Sequence, residues 1–253
     1  TSRPFLIIQS QNDLKKLQII GSIVANCLEY MITQAQVGMS TWDLDQLGKA
    51  FLENKGAKSA PILCYDFPGH TCISINQEAA HGIPRKEVVL KAGDLINIDV
   101  SAAKDGIFAD TGASFILPPK DPRLVDLLKT TRSALKKAIS KVRAGEGLNI
   151  IGKTIEQERG SFTIIENLCS HGIGTTLHEE PQQIPSFYNP KDKRMLAENM
   201  VITIEPFLST GNKKVDDGND GWTLINPGLH YSAQYEHTMV IRKGKPPIVV
   251  TQL

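Results

Sequence analysis

The sequence lacks several features that would assign it to a specialised class of protein. It has only 4 cysteines in 253 residues and no CxxC pair, which excludes a disulfide scaffold and a thiolate zinc site. No uninterrupted apolar run approaches the roughly 18 residues that a transmembrane helix needs. The formal net charge of +1 is too small to attract nucleic acid or an anionic membrane. We therefore expect a soluble protein that binds neither DNA nor membranes.

The length and the composition are those of an ordinary globular protein. With 253 residues, of which 41% are hydrophobic and 22% charged, the chain can form one large domain or two small ones with a substantial core. The apolar part of positions 1–13 is too short for a secretory signal. We expect a cytoplasmic location on this ground.

The most informative stretch, positions 95–111, places Asp99 and Asp110 among apolar residues. Two β-rich runs flank Asp105-Gly106, which is a strong β-hairpin signal. A two-residue loop would make the two aspartates diagonal neighbours on one face, and a four-residue loop would place them directly opposite, about 5 Å apart at Cβ. Two carboxylates this close, away from water, need a cation between them. The alternative is a solvated hairpin whose aspartates lie on its wet face.

The rest of the chain predicts helices and short strands. Apolar residues at helical spacing predict four amphipathic helices, at 13–36, 42–55 (with Thr41 as its N-cap), 122–142 and 148–158. Strands are expected from Cys72 onward, at 162–168 and at 201–207, and the segment 57–74 is expected to be irregular strand and loop.

The order of these elements occurs twice along the chain. In each half, two helices precede strands and a loop that contains glycine and histidine. Residues 91–99 resemble residues 196–205, since each is a polar turn followed by an apolar strand that ends in a carboxylate. We therefore expect one catalytic domain, 1–253, built from similar halves at about 1–121 and 122–253. A site between such halves is a natural location for chemistry.

Further metal-binding side chains occur in the second half. His171 and His178 surround two glycines, which indicates a loop that approaches a ligand, while Glu205 and Glu236 belong to predicted strands. With the hairpin, five metal-competent side chains lie at strand ends among apolar residues: Asp99, Asp110, His171, Glu205 and Glu236. No matching set of strand-borne Lys or Arg would neutralise them. Four carboxylates and one imidazole favour manganese, iron(II) or cobalt, and bridging carboxylates hold two ions about 3.5 to 4 Å apart.

Six motifs, in order and across about the whole chain, resemble those of the methionine aminopeptidases. They are HGIP at 81–84, NIDV at 97–100, DTG at 110–112, HGIG with LHEEP at 171–181, TIEP at 203–206 and QYEHT at 234–238. The resemblance implies an α+β "pita-bread" fold, in which two pseudosymmetric halves form antiparallel sheet covered by helices. The short segment between His178 and Glu205, and the lack of a visible N-terminal extension, resemble the short bacterial type I form.

The resemblance also assigns the site. Its five metal ligands fall on Asp99, Asp110, His171, Glu205 and Glu236, which would hold two divalent ions: cobalt, manganese or iron(II), with zinc as a further option. His81 and His178 match histidines that contact the substrate backbone and the intermediate, and Glu205 would also take the proton of the bridging water. A monovalent cation, sodium or potassium, is implied near Asn76 and Ser232.

The implied activity is hydrolysis of the N-terminal methionine from nascent polypeptides with a small second residue, by a hydroxide held between the two ions. Sulfur and aromatic groups suit a thioether side chain, and the expected methionine pocket consists of Cys64, Phe67, Cys72, Leu177 and Trp222. Ordinary core packing is the alternative for each of these. We expect a monomer that meets its peptide or nascent-chain substrate at the ribosome.

Two other functions are compatible with this fold. An X-Pro peptidase, such as a prolidase or aminopeptidase P, has similar ligands but usually an extra N-terminal domain, for which the chain has no room before its first helix. A metal-free module that binds peptides or ribosomes loses ligands, whereas all five are present here. Ala80 stands where many methionine aminopeptidases have cysteine, and Leu177 where an aromatic is common, which puts the pocket shape in question.

Overall fold

Five helices and fifteen short strands form the structure, a computed structural model that describes residues 8–253. The helices are α1 (Gln11–Gln34), α2 (Thr41–Asn54), α3 (Ala60–Tyr65), α4 (Pro122–Lys141) and α5 (Ile150–Glu158). The strands are β1 (Lys58–Ser59), β2 (Cys72–Ile75), β3 (Glu78–Ala80), β4 (Leu95–Lys104), β5 (Ile107–Ile116), β6 (Thr163–Ile164), β7 (Cys169–Gly172), β8 (Glu179–Pro185), β9 (Val201–Ile204), β10 (Phe207–Ser209), β11 (Asp216–Asp217), β12 (Leu224–Ile225), β13 (Ser232–Gln234), β14 (His237–Val240) and β15 (Ile248–Val249). Positions 1–7, part of the segment considered as a secretory signal, lie outside the described residues. Within residues 8–253 no helix combines the length and the apolar character needed to cross a membrane.

The β4–β5 hairpin resolves the question of its loop. Asp105 and Gly106 alone connect the strands, with φ of 52° and 77°, the positive values that a type I′ turn requires. The two-residue alternative is therefore correct. Asp99 pairs with Gly112, so Asp99 and Asp110 are diagonal neighbours on one face of the hairpin.

Two larger sheets, one from each half, are joined at a single bridge. In the first sheet β4 pairs with β1 and β2 at one edge and with β5 at the other, and in the second the order is β15-β14-β9-β7-β8. Gly112 of β5 forms an isolated bridge with Glu236, just before β14. All pairings between the described strands are antiparallel. The halves thus meet where β5, the strand of Asp110, lies beside Glu236, and also where β3 pairs with β12.

The repeat seen in the sequence has a structural counterpart. Gly93 before β4 and Asn199 before β9 both adopt positive φ, 85° and 67°. The Gly93 N–H donates to the Leu117 carbonyl at 2.9 Å, and the Asn199 N–H donates to the Ile241 carbonyl at 2.8 Å. Leu117 directly follows β5, the partner of β4, and Ile241 directly follows β14, the partner of β9. The β4–β5 pair and the β9–β14 pair are therefore entered in the same way.

Helices cover the sheets and bury their apolar faces. Leu17, Ile20 and Val24 of α1 are fully buried in one core cluster with residues of β4 and β5. Leu127 of α4 and Ile151 of α5 belong to a second cluster, with residues of β9 and β14. Each such side chain contributes roughly 1.5 to 3 kcal/mol through removal from water. This packing fixes the sheets that carry the acidic residues.

Several predicted boundaries require correction. The first helix spans positions 11–34 rather than 13–36. The helix predicted at 148–158 is α5, which begins at Ile150. The N-cap of α2 is Ser40 rather than Thr41, because the Ser40 hydroxyl accepts from the Asp43 N–H at 3.0 Å. The segment 57–74 contains helix α3, which is too short to show a helical period. Of the strand expected at 162–168, only β6 forms.

Candidate metal centre and active site

Four of the five predicted ligands converge in the interior. One donor atom from each of Asp110, His171, Glu205 and Glu236 lies within 4.8 Å of the others, and all four residues are buried. The His171 Nε2 atom is 3.2 Å from Glu205 Oε2, 3.5 Å from Asp110 Oδ2 and 3.7 Å from Glu236 Oε2. The imidazole thus stands among three carboxylates contributed by both halves.

The fifth ligand, Asp99, lies beside this cluster on β4. Its carboxyl interacts by side-chain hydrogen bonds with Asp110 and Glu236. Burial, and then the charge of Asp110, raise the pKa of Asp99 well above its ordinary value. The same two causes raise the pKa of Glu236. Carboxyl groups in this position require protons or cations between them.

A divalent cation fits the orphaned atoms of this cluster. Asp110 Oδ1 and Glu236 Oε2 are buried and have no hydrogen-bond partner within the described part of the chain, which is costly for carboxylate oxygens. No Lys or Arg among residues 8–253 forms an ion pair with the cluster. A donor set of carboxylates and one imidazole suits hard divalent ions. The donor set is therefore suited to hold a divalent metal ion.

The halves are hydrogen-bonded to each other at this point. The Asp110 N–H donates to the Thr238 hydroxyl at 3.0 Å, and that hydroxyl donates to the Asp110 carbonyl at 2.7 Å. The Thr111 hydroxyl donates to the Glu236 carbonyl at 2.8 Å. These hydrogen bonds extend the contact between β5 and the segment before β14. They fix the position of Asp110 relative to Glu236.

The two glutamates of the second half, Glu205 and Glu236, occupy breaks between strands rather than strand interiors. The strand expected at 201–207 is interrupted at Glu205 because Pro206 has no N–H for the ladder, and the Glu205 N–H donates to the Ser170 hydroxyl at 2.8 Å. Glu236 lies between β13 and β14, not within a strand, and its Oε1 accepts from the Gln234 amide at 3.3 Å.

His171 belongs to strand β7 rather than to the expected loop. A Cβ atom on the following residue, Gly172, would overlap the Glu180 carbonyl oxygen of the paired strand β8. The close approach that the glycine permits is therefore between the strands β7 and β8.

The electrostatics separate the three histidines. Burial alone would lower the pKa of His171, but hydrogen bonds with Asp110 and Glu205 raise it to about 10. His178 and His81 both line the cavity. Desolvation of the rings lowers the pKa of both, that of His178 to about 4. Two neutral imidazoles therefore border the acidic cluster at neutral pH.

Tyr65 is a site residue that the sequence did not predict. Its hydroxyl lies 2.5 Å from His178 Nδ1. If the phenol donates, the neutral imidazole keeps its hydrogen on Nε2 and can donate from there. This contact joins residues 113 positions apart, so no local pattern could have revealed it.

A cavity of about 230 Å³ opens directly onto the cluster. Of the predicted pocket residues, four line it: Phe67, Cys72, Leu177 and Trp222. Phe67 and Trp222 form an edge-to-face pair with centroids 5.2 Å apart. Cys64 is not part of the lining, since it packs against the core with its sulfur 4.0 Å from the Thr176 hydroxyl. Its neighbour Tyr65 lines the cavity instead.

A second cavity, of about 260 Å³, lies on another side of the same cluster. It includes Leu168, Cys169 and Phe207. Both cavities share His81, Asp99, His171, His178 and Glu205. A molecule that extends from one cavity to the other must pass over the cluster.

Asn76 and Ser232, considered for a monovalent cation, have protein partners. Asn76 adopts φ of 56° and donates from its amide to Asp94 at 2.9 Å. The Ser232 hydroxyl accepts from the Asn226 amide at 2.7 Å, and the Asn226 N–H donates to the Gln77 carbonyl at 2.7 Å. The two segments therefore adjoin.

Known proteins with this sequence pattern are aminopeptidases. Methionine aminopeptidase 2 of Bacillus subtilis (strain 168) is 45% identical over 250 residues, which cover 98% of this chain and 100% of that protein. The crystal structure of a methionine aminopeptidase from Thermotoga maritima matches with a TM-score of 0.93 and 30% identity, over 98% of this chain and 100% of that one. The α+β pita-bread fold expected from the motifs is confirmed.

The X-Pro peptidases share the fold at a greater distance. A prolidase from Pyrococcus furiosus matches with a TM-score of 0.76 and 19% identity, and the match covers 98% of this chain but 66% of that one. The profile of metallopeptidase family M24 matches residues 15–243. The chain therefore belongs to metallopeptidase family M24 and, within it, to the methionine aminopeptidases.

Proposed function

We propose that this protein is a metalloaminopeptidase that hydrolyses the N-terminal methionine from polypeptides whose second residue is small. The observation that carries this function is a cavity lined by a thiol and aromatic rings that opens onto a buried cluster of carboxylates and imidazole. Sulfur and aromatic faces suit a thioether side chain. The preference for a small second residue rests on the resemblance of the motifs.

The metal ligands are assigned to both halves of the chain. Two divalent ions would be held by Asp99, Asp110, His171, Glu205 and Glu236. Bound ions lower the pKa of water and polarise a carbonyl group, so that hydrolysis proceeds near neutral pH. Cobalt, manganese and iron(II) suit the donor set, and zinc is a further option.

The remaining steps are performed by side chains of this protein. Glu205, ionised because hydrogen bonds with Glu236 and His171 lower its pKa despite burial, accepts a proton from the attacking water and passes it to the leaving amine. His178 donates a hydrogen bond to the oxygen on which charge develops, and His81 contacts the scissile amide. Tyr65 holds His178 in the orientation that this requires.

The two cavities correspond to the two sides of the scissile bond. The methionine side chain occupies the first cavity, whose wall contains Phe67, Cys72, Leu177 and Trp222, and the rest of the peptide leaves through the second. Since both open onto the shared cluster, the first peptide bond lies over the catalytic groups.

Further properties belong to the same proposal. The chain acts as one catalytic domain with halves at about 1–121 and 122–253. The proposed ligands of both halves meet where β5 contacts the segment before β14. We propose a monomer that meets nascent chains at the ribosome in the cytoplasm. A sodium or potassium ion near Asn76 and Ser232 would connect the adjoining segments described above.

Two peptides, Met-Ala-Ser and Ala-Pro-Ser, test this function when they are incubated with the metal-loaded protein. We expect cleavage of Met-Ala-Ser only, and none after treatment with a chelator. Cleavage of Ala-Pro-Ser alone would favour an X-Pro peptidase. If neither peptide is cleaved, the protein is a binding module rather than an enzyme. Met-Leu-Ser, added as a third peptide, should be cleaved much more slowly if the second residue must be small.

A further inference from the structure

One wall of the first cavity depends on a single carboxylate outside the metal cluster. The loop 218–223 carries Trp222, and Asp220 Oδ1 accepts from the Trp222 N–H at 2.9 Å and from the Thr223 N–H at 2.7 Å. Asp220 Oδ2 accepts from the Thr223 hydroxyl. Asp220 is thus the hydrogen-bonding centre of the loop that presents Trp222 to the cavity.

The same carboxylate is paired with an arginine from the other half of the chain. Arg85 Nη2 donates to Asp220 Oδ2 at 3.2 Å. The second ion pair of Arg85, with Glu87, is longer at 3.8 Å and involves a side chain that is 71% exposed. Because these side chains are partly exposed, the pair adds little to global stability. Its effect is therefore local to the Trp222 loop.

Arg85 is well placed to act as a fixed support. Its N–H donates to the Thr41 hydroxyl at 2.8 Å, and its carbonyl accepts from that hydroxyl at 3.1 Å. The Trp42 N–H donates to the same carbonyl at 3.2 Å. The backbone of Arg85 is thereby hydrogen-bonded to the start of helix α2. Arg85 itself lies only four positions after His81. The ion pair connects this anchored loop to the loop that carries Trp222.

We infer that Arg85 and Asp220 are positioning residues that hold Trp222 against Phe67 and thereby set the width of the cavity for the first side chain. This inference rests on the proposed function, because it assigns the cavity to that side chain. Without the ion pair, the Trp222 loop would keep its internal hydrogen bonds, and β12 would remain paired with β3. The loop itself would lose the side-chain contact that connects it to the anchored Arg85. The cavity would then select less strictly between methionine and side chains of other shapes.

A fluorescence measurement tests the contact without any turnover. The chain has 2 tryptophans, so in a Trp42→Phe background Trp222 is the only emitter. In that background Arg85→Gln should shift the Trp222 emission to longer wavelength and increase its quenching by acrylamide. Glu87→Gln, the matched control, removes only the longer ion pair of Arg85 and should leave both signals unchanged. Equal signals for Arg85→Gln and its parent would overturn the inference.

Kinetics then separate a positioning role from a structural one. With Met-Ala-Ser, Arg85→Gln should raise KM several-fold and leave kcat within about two-fold, since only binding of the first side chain changes. The preference for Met-Ala-Ser over Leu-Ala-Ser should fall by roughly ten-fold, within the range that one methylene group commands. Asp220→Asn should act in the same direction, and the double variant should add little to either single change.

Two outcomes distinguish the failure of this inference from the failure of the proposed function. If the parent protein cleaves no methionyl peptide but Arg85→Gln still changes the Trp222 signals, the contact stands and the function is wrong. If the parent cleaves Met-Ala-Ser but Arg85→Gln changes neither selectivity nor fluorescence, the inference is wrong. The fluorescence and the selectivity of Arg85→Lys, which keeps the charge, should lie between those of the parent and those of Arg85→Gln. Such a partial rescue would indicate that the effect depends on the ion pair.

Discussion

The two halves of the protein present their proposed metal ligands in different ways. In the first half, β4 and β5 pair without interruption over ten residues each, so the alternation of the pleat alone directs Asp99 and Asp110 to one face. In the second half, Glu205 and Glu236 lie where strands are broken. A hairpin can supply two ligands by regular geometry, whereas shorter strands supply theirs at points where the ladder stops.

A broken strand needs other bonds to hold its side chain in place. The Glu205 N–H is bonded to the Ser170 hydroxyl, and Glu236 is bonded to the Gln234 amide. Gln234 in turn accepts at 2.9 Å from the side chain of Asn97 on the hairpin. The regular half therefore supports the irregular one, and substitutions should affect the two halves unequally.

The largest effect is expected from Glu205→Gln in the irregular half. Glutamine keeps the size of the side chain but cannot accept a proton, so kcat should fall by about 10² to 10⁴-fold. The measurement is steady-state hydrolysis of Met-Ala-Ser. Glu198→Gln, an exposed position just before the same strand, should retain the parent activity. A Glu205→Gln variant with more than half of the parent kcat would show that Glu205 does not transfer the proton.

Removal of the metal should have the next largest effect, and it should depend on pH. Asp99 and Glu236 have raised pKa values, so the metal-free folded state binds more protons than the unfolded chain once the pH exceeds about 4. Its stability therefore falls as the pH rises towards those raised values. Metal binding requires the deprotonated ligands, and saturation at 100 times Kd adds about 2.7 kcal/mol.

The observable is the difference in Tm between the protein with excess Mn²⁺ and with chelator. This difference should widen between pH 5.5 and pH 8. A difference in Tm that stays constant over this pH range would mean that Asp99 and Glu236 are not the groups that lose protons when the metal binds.

A smaller effect is expected where the halves are joined. Thr238→Val keeps the shape of the side chain but leaves the buried Asp110 N–H and carbonyl without their partner, at a cost of about 1 to 3 kcal/mol. The Tm should fall by about 2 to 4 °C for each kcal/mol in a protein of this size. Thr238→Ser keeps the hydroxyl and should recover most of the loss. Equal Tm values for the valine variant and the parent would mean that the junction does not depend on this hydroxyl.

The smallest effect is expected at the tip of the regular half. Gly106 has φ of 77° and no atom near the position of a Cβ, so Gly106→Ala should cost only backbone strain of about 1 to 2 kcal/mol. Asp105→Asn, at a residue type that tolerates positive φ, should be nearly neutral. Chemical denaturation measures both changes, and kcat should be unaffected by either. A large loss of kcat in Gly106→Ala would show that the hairpin tip, and not only its pleat, controls the ligands.

This contrast also explains what could be predicted from the sequence. The turn residues Asp105 and Gly106 and the alternating apolar residues indicate the hairpin locally, so both of its predicted ligands can be placed on one face. The same pattern is compatible with a two-residue or a four-residue loop. Long helices such as α1 and α4 were predicted within about two residues at each end because their periodicity extends over many turns.

The irregular features were harder to predict because they depend on contacts distant in sequence. The break at Glu205 follows from Pro206 and from a partner at Ser170, and the short helix α3 places Tyr65 rather than Cys64 in the cavity. Neither a helical nor an alternating period marks these positions. The motif resemblance predicts the five ligands, but it could not show how each side chain is held.

The most direct test of the central claim, that five side chains from both halves form one site for two divalent ions, is calorimetric titration of the chelated protein with Mn²⁺. A shared site predicts two ions bound per parent chain, with less metal and no turnover in Asp99→Asn although its circular dichroism spectrum is unchanged. Full metal content together with full activity in Asp99→Asn would contradict the claim.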